Sequence, residues 1–268
     1  VRVDLHCHST SSDGTDPADV VAARARAAGV ELFSLTDHDT CAGHAAAALA
    51  FPAARRGLEL SCEHGGRTVH VLMFDTGGAW RDLEAMLAER SERRKDRLRT
   101  IAAWLHGRGI RLDVEKIIAA SAAQNRTVGR PDLARALCEA GFAVSMDDAF
   151  NRYLYDGGPG DPGGHRLTLE AGLAVGRSVD ARMALAHPHL LGEQAAQLLR
   201  RYKSEGLDAV EAYYGSYTRK ERARWTRLAD ELGLVCTAGS DRHSEADPEL
   251  GIDLPESRAE RLLTWLQR

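Results

Sequence analysis

No stretch of this 268-residue chain approaches the ~20 consecutive apolar residues that a bilayer crossing needs, so no membrane span is expected. The first residues lack a basic segment followed by an apolar one. No secretory signal is read, and the expected location is cytoplasmic. Cysteine is scarce: five residues, an odd number, with no C-x-x-C pair, which excludes a disulfide framework and a zinc knuckle. An excess of positive charge is also missing. The formal net charge is −4, so the chain as a whole is no polycation built for nucleic acid. Lysine is nearly absent, four against 31 arginines, a bias better explained by codon usage than by phosphate binding. No internal repeat, heptad run or low-complexity tail is seen. What remains is an ordinary globular composition, 44% hydrophobic and 28% charged, long enough for one or two domains.

Strand and helix patterns alternate along the chain, the signature of an α/β layer fold. VRVDLH (1–6) reads as the first strand. Asp16 and Pro17 then open a helix that Gly29 ends. ELFSLT (31–36), LELSCE (58–63) and TVHVLMF (68–74) read as the next strands. From residue 80 the character changes. Residues 80–106 predict one long helix with Leu83, Leu87, Leu98, Ile101 and Leu105 on an apolar stripe. Its mixed-charge middle, ERSERRKDRLR, reads as a solvated face. Helices near 113–122, 131–140 and 146–154 follow, and GGPGDPGG (157–164) reads as a loop too rich in Gly and Pro to be an element. The rhythm then resumes with strands at 182–186, 208–213 and 234–238 and a last helix at 256–267. The expected organisation is a barrel in two parts, 1–78 and 165–268, around a helical insertion, 79–164, that caps the active site. Seven strands around the insertion fit a (β/α)7 barrel, where functional residues gather at the C-terminal ends of strands.

The chemistry is concentrated at those ends. His6 and His8 are two apart in a strand, so both imidazoles point to one face, and Asp13 follows in the next loop. Such nitrogen and oxygen ligands suit Zn, Mn or Fe. His-x-His alone is weak evidence, but matching pieces recur. They are TDHD (36–39) with His38, Glu63 closing the third strand, and His70 within the fourth. AHPH (186–189) adds His187, and SDRH (240–243) adds Asp241 and His243. Singly, His38 or His187 reads as a core-edge histidine and Asp241 as a turn residue. Six of eleven histidines at barrel strands, mostly beside an acid, read together as a metal site.

DLHCHSTSSDG, TDHD, the Glu63 strand end, VHVL, AHP and SDRH, in this order over essentially the whole chain, resemble the motifs of the PHP (polymerase and histidinol phosphatase) family. GRPDLARAL (129–137) is similar to the branch that removes phosphate from nucleoside 3′,5′-bisphosphates and trims short oligoribonucleotides from the 5′ end. The resemblance implies a distorted PHP-type (β/α)7 barrel, with an inserted helical subdomain, holding three divalent metals, Mn, Fe or Zn. It implies hydrolysis, by metal-activated water, of a phosphomonoester of a nucleotide or related small phosphorylated metabolite, a nucleoside 3′,5′-bisphosphate among them. It further implies His6, His8, Glu63 and Asp241 on one metal and Asp13, His38 and His243 on a second. His70, His187 and a bridging Glu63 oxygen would hold the third. Asp4, Asp37 and Asp39 are read either as carboxylates orienting imidazole N–H groups or as structural caps.

Arg130 precedes Pro131 at a helix start, where an anion would meet both a guanidinium and the helix N-terminus. His189 and His243 are expected near the leaving group as proton donors. Tyr213, Tyr214 and Tyr217 offer faces to a base, or else pack under the barrel rim. Two departures from the branch fall where substrate recognition is built. Asp132 replaces the usual His after GRP and would repel a second phosphate, and GGPGDPGGHRL replaces an aromatic, proline-containing stretch. The rival enzyme readings are a histidinol-phosphate-type or sugar-phosphate phosphatase, and an amidohydrolase. The last is disfavoured because Lys95, Lys116, Lys203 and Lys220 all sit in predicted helices, away from the barrel. A non-catalytic metal- or nucleotide-binding module is the reading of another class. The expected partner is a small phosphorylated substrate of the nucleotide class, with short RNA as the alternative, and no membrane or obligate protein partner is expected.

Overall fold

The computed structural model describes residues 1–78, 80–124, 126–155, 157–161 and 166–267. In chain order, β1 (Arg2–Asp4) leads to α1 (Ala18–Ala27), β2 (Leu32–Leu35) and α2 (His44–Ala50). A hairpin of β3 (Arg55–His64) and β4 (Arg67–Phe74) follows. Four helices come next: α3 (Trp80–His106), α4 (Val114–Ala123), α5 (Arg130–Glu139) and α6 (Met146–Arg152). The chain returns through β5 (Leu167–Thr168), α7 (Leu169–Ser178), β6 (Arg182–Leu185), α8 (Glu193–Tyr202) and β7 (Leu207–Tyr214). It ends with α9 (Arg219–Leu232), β8 (Val235–Gly239), β9 (Ile252–Asp253) and α10 (Glu256–Gln267).

The sheet order is β8-β7-β6-β4-β3-β2-β1-β9, with β5 beside β3. The ring nearly closes where the Leu5 N–H donates to Ala238 O at 2.9 Å, joining β1 to β8. Seven strands therefore make the barrel, as the strand count predicts. One of them differs from a parallel (β/α)7 ring: β4 runs antiparallel to both β3 and β6. Only two residues, Gly65 and Gly66, separate β3 from β4, too few for a parallel crossover. Both have positive φ, 59° and 76°, as a hairpin turn of this kind requires.

Apolar residues partition into three clusters. The largest fills the space between the barrel and its outer helices α7 to α10, and includes Leu60, Val71, Leu173, Leu198 and Trp225. A second joins α1 and α2 to Cys7, Phe33 and Leu35. The third lies among α3 to α6 and includes Leu98, Ile101, Leu105, Leu133 and Leu137. Helix α3 spans two of them: Trp80, Leu83 and Leu87 enter the barrel core, and Leu98 to Leu105 enter the separate helical core. Helices α3 to α6 fall within two residues of their expected limits. Asp16 does not cap α1; it pairs with Arg24, and the helix begins at Ala18 after Pro17. Residues 162–164 of the Gly- and Pro-rich segment lie outside the described residues.

Candidate metal centre

Eight of the nine expected ligands converge at the C-terminal mouth of the barrel: His6, His8, Asp13, His38, His70, His187, Asp241 and His243. They fall into four overlapping groups whose ligand atoms lie within 4.8 Å of one another. The ninth place belongs to Glu59, not Glu63. Glu59 Oε1 is 2.9 Å from both His70 Nδ1 and His187 Nε2, and Oε2 is 3.0 Å from His38 Nδ1. The same Oε2 is 3.4 and 3.3 Å from the Nε2 atoms of His6 and His8. Glu63 belongs to none of the groups and faces Arg166 at 3.9 Å. Both acids point to one face of β3, but four residues separate them, about 13 Å along a strand. The strand runs past the barrel mouth into the hairpin, so its end is not the mouth.

The remaining ligands are placed from opposite sides. His8 Nε2 and His6 Nε2 each lie 3.2 Å from Asp241 Oδ1. Asp13 reaches His243 at 3.4 Å and His38 at 3.6 Å. Gly239 makes the first of these approaches feasible, because a Cβ there would sit 2.2 Å from the His6 Cβ. His187 and Asp241 are held at positive φ, 24° and 54°, a strain that anchoring bonds must offset. The His187 N–H donates to Glu211 Oε2 at 2.7 Å, and the Asp241 N–H to His6 O at 2.7 Å.

Glu211, fully buried on β7, also accepts the His6 Nδ1–H at 2.9 Å. A carboxylate can only accept here, so the proton is on Nδ1 and Nε2 is directed at the centre. The His243 Nδ1 bond to Asp241 O does the same for that ring. Among the described residues, four buried atoms at the centre make no hydrogen bond of good geometry: His6 Nε2, His8 Nε2, His38 Nδ1 and Glu59 Oε2. Buried polar atoms are rarely left so, and their convergence fits a shared cation. Of the two readings of Asp4, Asp37 and Asp39, the structural one holds: among the described residues, none of the three accepts an imidazole N–H directly. They accept backbone or hydroxyl protons from His6 and Ser240, from Ser9 and Ser12, and from Ser61 respectively, fixing the loops instead.

Ionisation follows from this packing. Burial opposes a charged His6, but Glu211, Asp241 and Glu59 outweigh it and hold the imidazolium well above its usual range. Burial likewise opposes a charged His8, yet Asp241 and Glu59 raise it to about 10. Burial alone would raise Asp13, Glu59 and Asp241, and the surrounding imidazoles instead keep all three below the carboxylate range. His70 moves the other way, lowered to about 4 by burial against the pull of Glu59. Protons and divalent cations thus compete for the same nitrogens.

Beside the centre lies a cavity of about 210 Å³ whose walls join His38 and His70 to Arg94, Arg97, Arg130 and Arg166. Arg94 and Arg97 belong to the charged middle of α3. That run is therefore not wholly solvated: Arg94 donates to Ser61 Oγ at 3.1 Å and pairs with Asp39. Arg130 opens α5, donates to Leu154 O at 2.7 Å and lies 5.6 Å from the Phe150 ring. Asp132 turns away from the cavity. It accepts the Gly129 N–H at 2.8 Å and pairs with Arg126 and Arg135, so it caps α5 rather than facing a substrate there.

On the other side of the centre stand His189, Tyr214 and Tyr217. Tyr217 Oη is 2.9 Å from His189 Nδ1, and Tyr214 Oη donates to Asp241 Oδ2 at 2.8 Å. Burial lowers the half-buried His189. Tyr213 is not with them. A register shift in β7 between Glu211 and Tyr213 turns its ring outward into the core, 5.1 Å from Arg222. Glu59 and Glu211 share a signal legible in the sequence: each is an acid flanked on both sides by apolar residues within a strand, LEL and AVEAY.

No family model matches the chain. A 3′,5′-nucleoside bisphosphate phosphatase of Chromobacterium violaceum is 33% identical over 257 residues, covering 92% of this chain and 88% of the relative. The 5′-3′ exoribonuclease Rnm of Escherichia coli is 30% identical over 252 residues, covering 91% and 85%. Among solved structures, a Chromobacterium violaceum protein named as an amidohydrolase, with sulfate bound and no metal, aligns with a TM-score of 0.85. It is 28% identical, with 99% of this chain and 97% of that one covered. A Bifidobacterium adolescentis protein, 24% identical, has the same fold, with a TM-score of 0.82 over 98% and 96% of the two chains.

Proposed function

Because the chain belongs to the PHP family of metal-dependent phosphoesterases, we propose that it hydrolyses a phosphomonoester of a nucleotide or related small phosphorylated metabolite. The observation that supports this reading is the meeting of nine ligand-type side chains, Glu59 at their hub, with an arginine-walled cavity. The donor set fits divalent cations: six imidazoles and three carboxylates, with orphaned buried atoms aimed at a common point. We assign His6, His8 and Asp241 to one of three such ions, Asp13, His38 and His243 to another, and His70 and His187 to the third, with Glu59 shared. Bound ions of this kind supply charge for phosphate oxygens and a water of lowered pKa.

The chain's own residues do the rest. Arg130 and Arg94 hold the part of the substrate beyond the reacting phosphate, with the α5 N-terminus beside them. Phe150 offers an aromatic face to a base. His189, positioned by Tyr217, donates a proton to the departing alcohol. A short RNA with a 5′ phosphate presents the same group. The test is a phosphate-release screen over nucleotides, sugar phosphates including histidinol phosphate, and short RNAs, with metal quantified in the same sample. Release from none of them by metal-replete protein would defeat the proposal in favour of a binding module.

An amidohydrolase reading gains nothing from the residues present. Its usual bridging lysine has no candidate, since Lys95, Lys116 and Lys220 lie on α3, α4 and α9 and Lys203 follows α8.

A further inference from the structure

Among the described residues, strand β7 supplies no candidate ligand, yet two of its side chains hold ligands from behind. Glu211 is one, and Tyr214 is the other. In a regular strand, residues three apart face opposite sides. The irregularity in β7 removes that alternation. Glu211 pairs with Thr237 and Tyr213 with Ala238, so β7 carries one residue more than β8 over the same step. Ala212 and Tyr213 both fall in the apolar core outside the barrel, and Tyr214 returns to the face of Glu211. Bulges beside active sites re-aim side chains in this way.

Tyr214 thereby meets Asp241. Its Oη donates to Asp241 Oδ2 at 2.8 Å, and among the described residues no other group is bonded to that oxygen. The other oxygen, Oδ1, faces His6 Nε2 and His8 Nε2 at 3.2 Å each. The carboxylate is divided: one oxygen belongs to a candidate ligand group, the other to a neutral hydroxyl. Without that hydroxyl, a side chain only 14% exposed would leave Oδ2 short of a partner or swing it towards the imidazoles. The backbone adds to the need for a tether, since Asp241 sits at φ 54°. The Tyr214 ring is itself held, with its centroid 5.0 Å from that of His189 and 5.1 Å from that of Tyr217.

We propose that Tyr214 is a positioning residue of the metal centre: its hydroxyl fixes the Asp241 carboxylate with Oδ1 towards His6 and His8, so that this ligand is set before an ion arrives. The sequence suggests a face offered to a base; this role uses the hydroxyl instead. It rests on the metal centre described above and not on the identity of the substrate.

The test titrates metal-free protein with Mn²⁺, following the electron paramagnetic resonance of the free ion, in wild type, Tyr214→Phe and Tyr217→Phe. Phenylalanine keeps the ring contacts, so both variants should fold, with circular dichroism as in wild type. In Tyr214→Phe the affinity for one Mn²⁺ per chain should fall about tenfold, the lower end of what losing such a ligand partner costs. Any further ions should bind as in wild type, because Asp241 belongs to one ligand group alone. Tyr217→Phe removes a neighbouring hydroxyl that meets His189 and should leave Mn²⁺ affinity unchanged. Undiminished affinity in Tyr214→Phe overturns the inference, as does an equal loss in Tyr217→Phe or at every bound ion, either of which would mean a general loosening. A wild type that retains no Mn²⁺ overturns it together with the metal centre. A wild type that binds Mn²⁺ but hydrolyses no phosphoester defeats the phosphoesterase reading alone, and the affinities still decide the role of Tyr214.

Discussion

Glu59 contacts five imidazoles, while Glu63 contacts none of them, and the two differ only by four positions on one strand face. Alanine at Glu59 is expected to lower kcat/KM by about a thousandfold or more and to reduce bound metal, since the shared ligand is lost. Alanine at Glu63 should leave metal content intact and activity within about threefold. Metal analysis of both purified variants separates the two assignments. Glu211→Gln should weaken metal affinity by about 10–100-fold, read by chelator competition, because the amide keeps one acceptor oxygen for two donors and turns an NH2 towards either the His6 ring N–H or the strained His187 N–H.

Protonation adds a further expectation for the same side chains. His8, raised to about 10, carries a proton at neutral pH in the metal-free protein, whereas His70, lowered to about 4, does not. Metal uptake at pH 7 should therefore release protons, seen as a heat that changes between buffers of different ionisation enthalpy. For the metal-free fold the sign is set by a pKa above the unfolded value of 6.5. The His8 contribution is complete below pH 6.5 and is lost as pH rises towards 10.

Secondary-structure elements were readable to different degrees. Periodicity placed α3 to α6, because amphipathic helices advertise a face every three to four residues. The β3–β4 hairpin was harder. Its residues alternate as in any strand, and nothing in that alternation reveals where along ten residues the barrel mouth falls. Helix α3 misled in another way: a run of mixed charge describes solvent or a lined cavity equally well until the packing of Leu98 and Ile101 fixes the rotation. At the start of α5, Asp132→Ala should cost about 1–3 kcal/mol in thermal or denaturant unfolding, through the lost cap and the stranded Arg126 and Arg135. KM should change by less than about threefold if Asp132 is a cap and no substrate contact.

In the folded chain as a whole, two packing units meet at the centre: a barrel core and a helical core joined by α3. The candidate ligands come from the barrel side, and most of the arginine wall comes from the helical side. Metal binding to the native state alone should raise the melting temperature with increasing metal. By hydrogen exchange, protection should grow in β1, β3 and β8 and remain nearly unchanged in α4 to α6. Equal protection of both units would contradict a division between the two cores.

Eight of the nine groups at the centre, and the barrel that carries them, followed from local chemistry: His-x-His on one strand face, acids beside histidines, and strand-to-helix alternation. These signals act over a few residues and survive in the chain without its fold. Glu59, Glu211 and Asp161 did not show themselves as readily. Each depends on contacts from other parts of the chain: five histidines from four separate segments around Glu59, a strained loop on Glu211, and arginines 31 to 64 residues upstream and five downstream of Asp161. An acid buried in a strand is written in the chain, but the partner that makes its burial tolerable is supplied only by folding, which brings the opposite charge within reach.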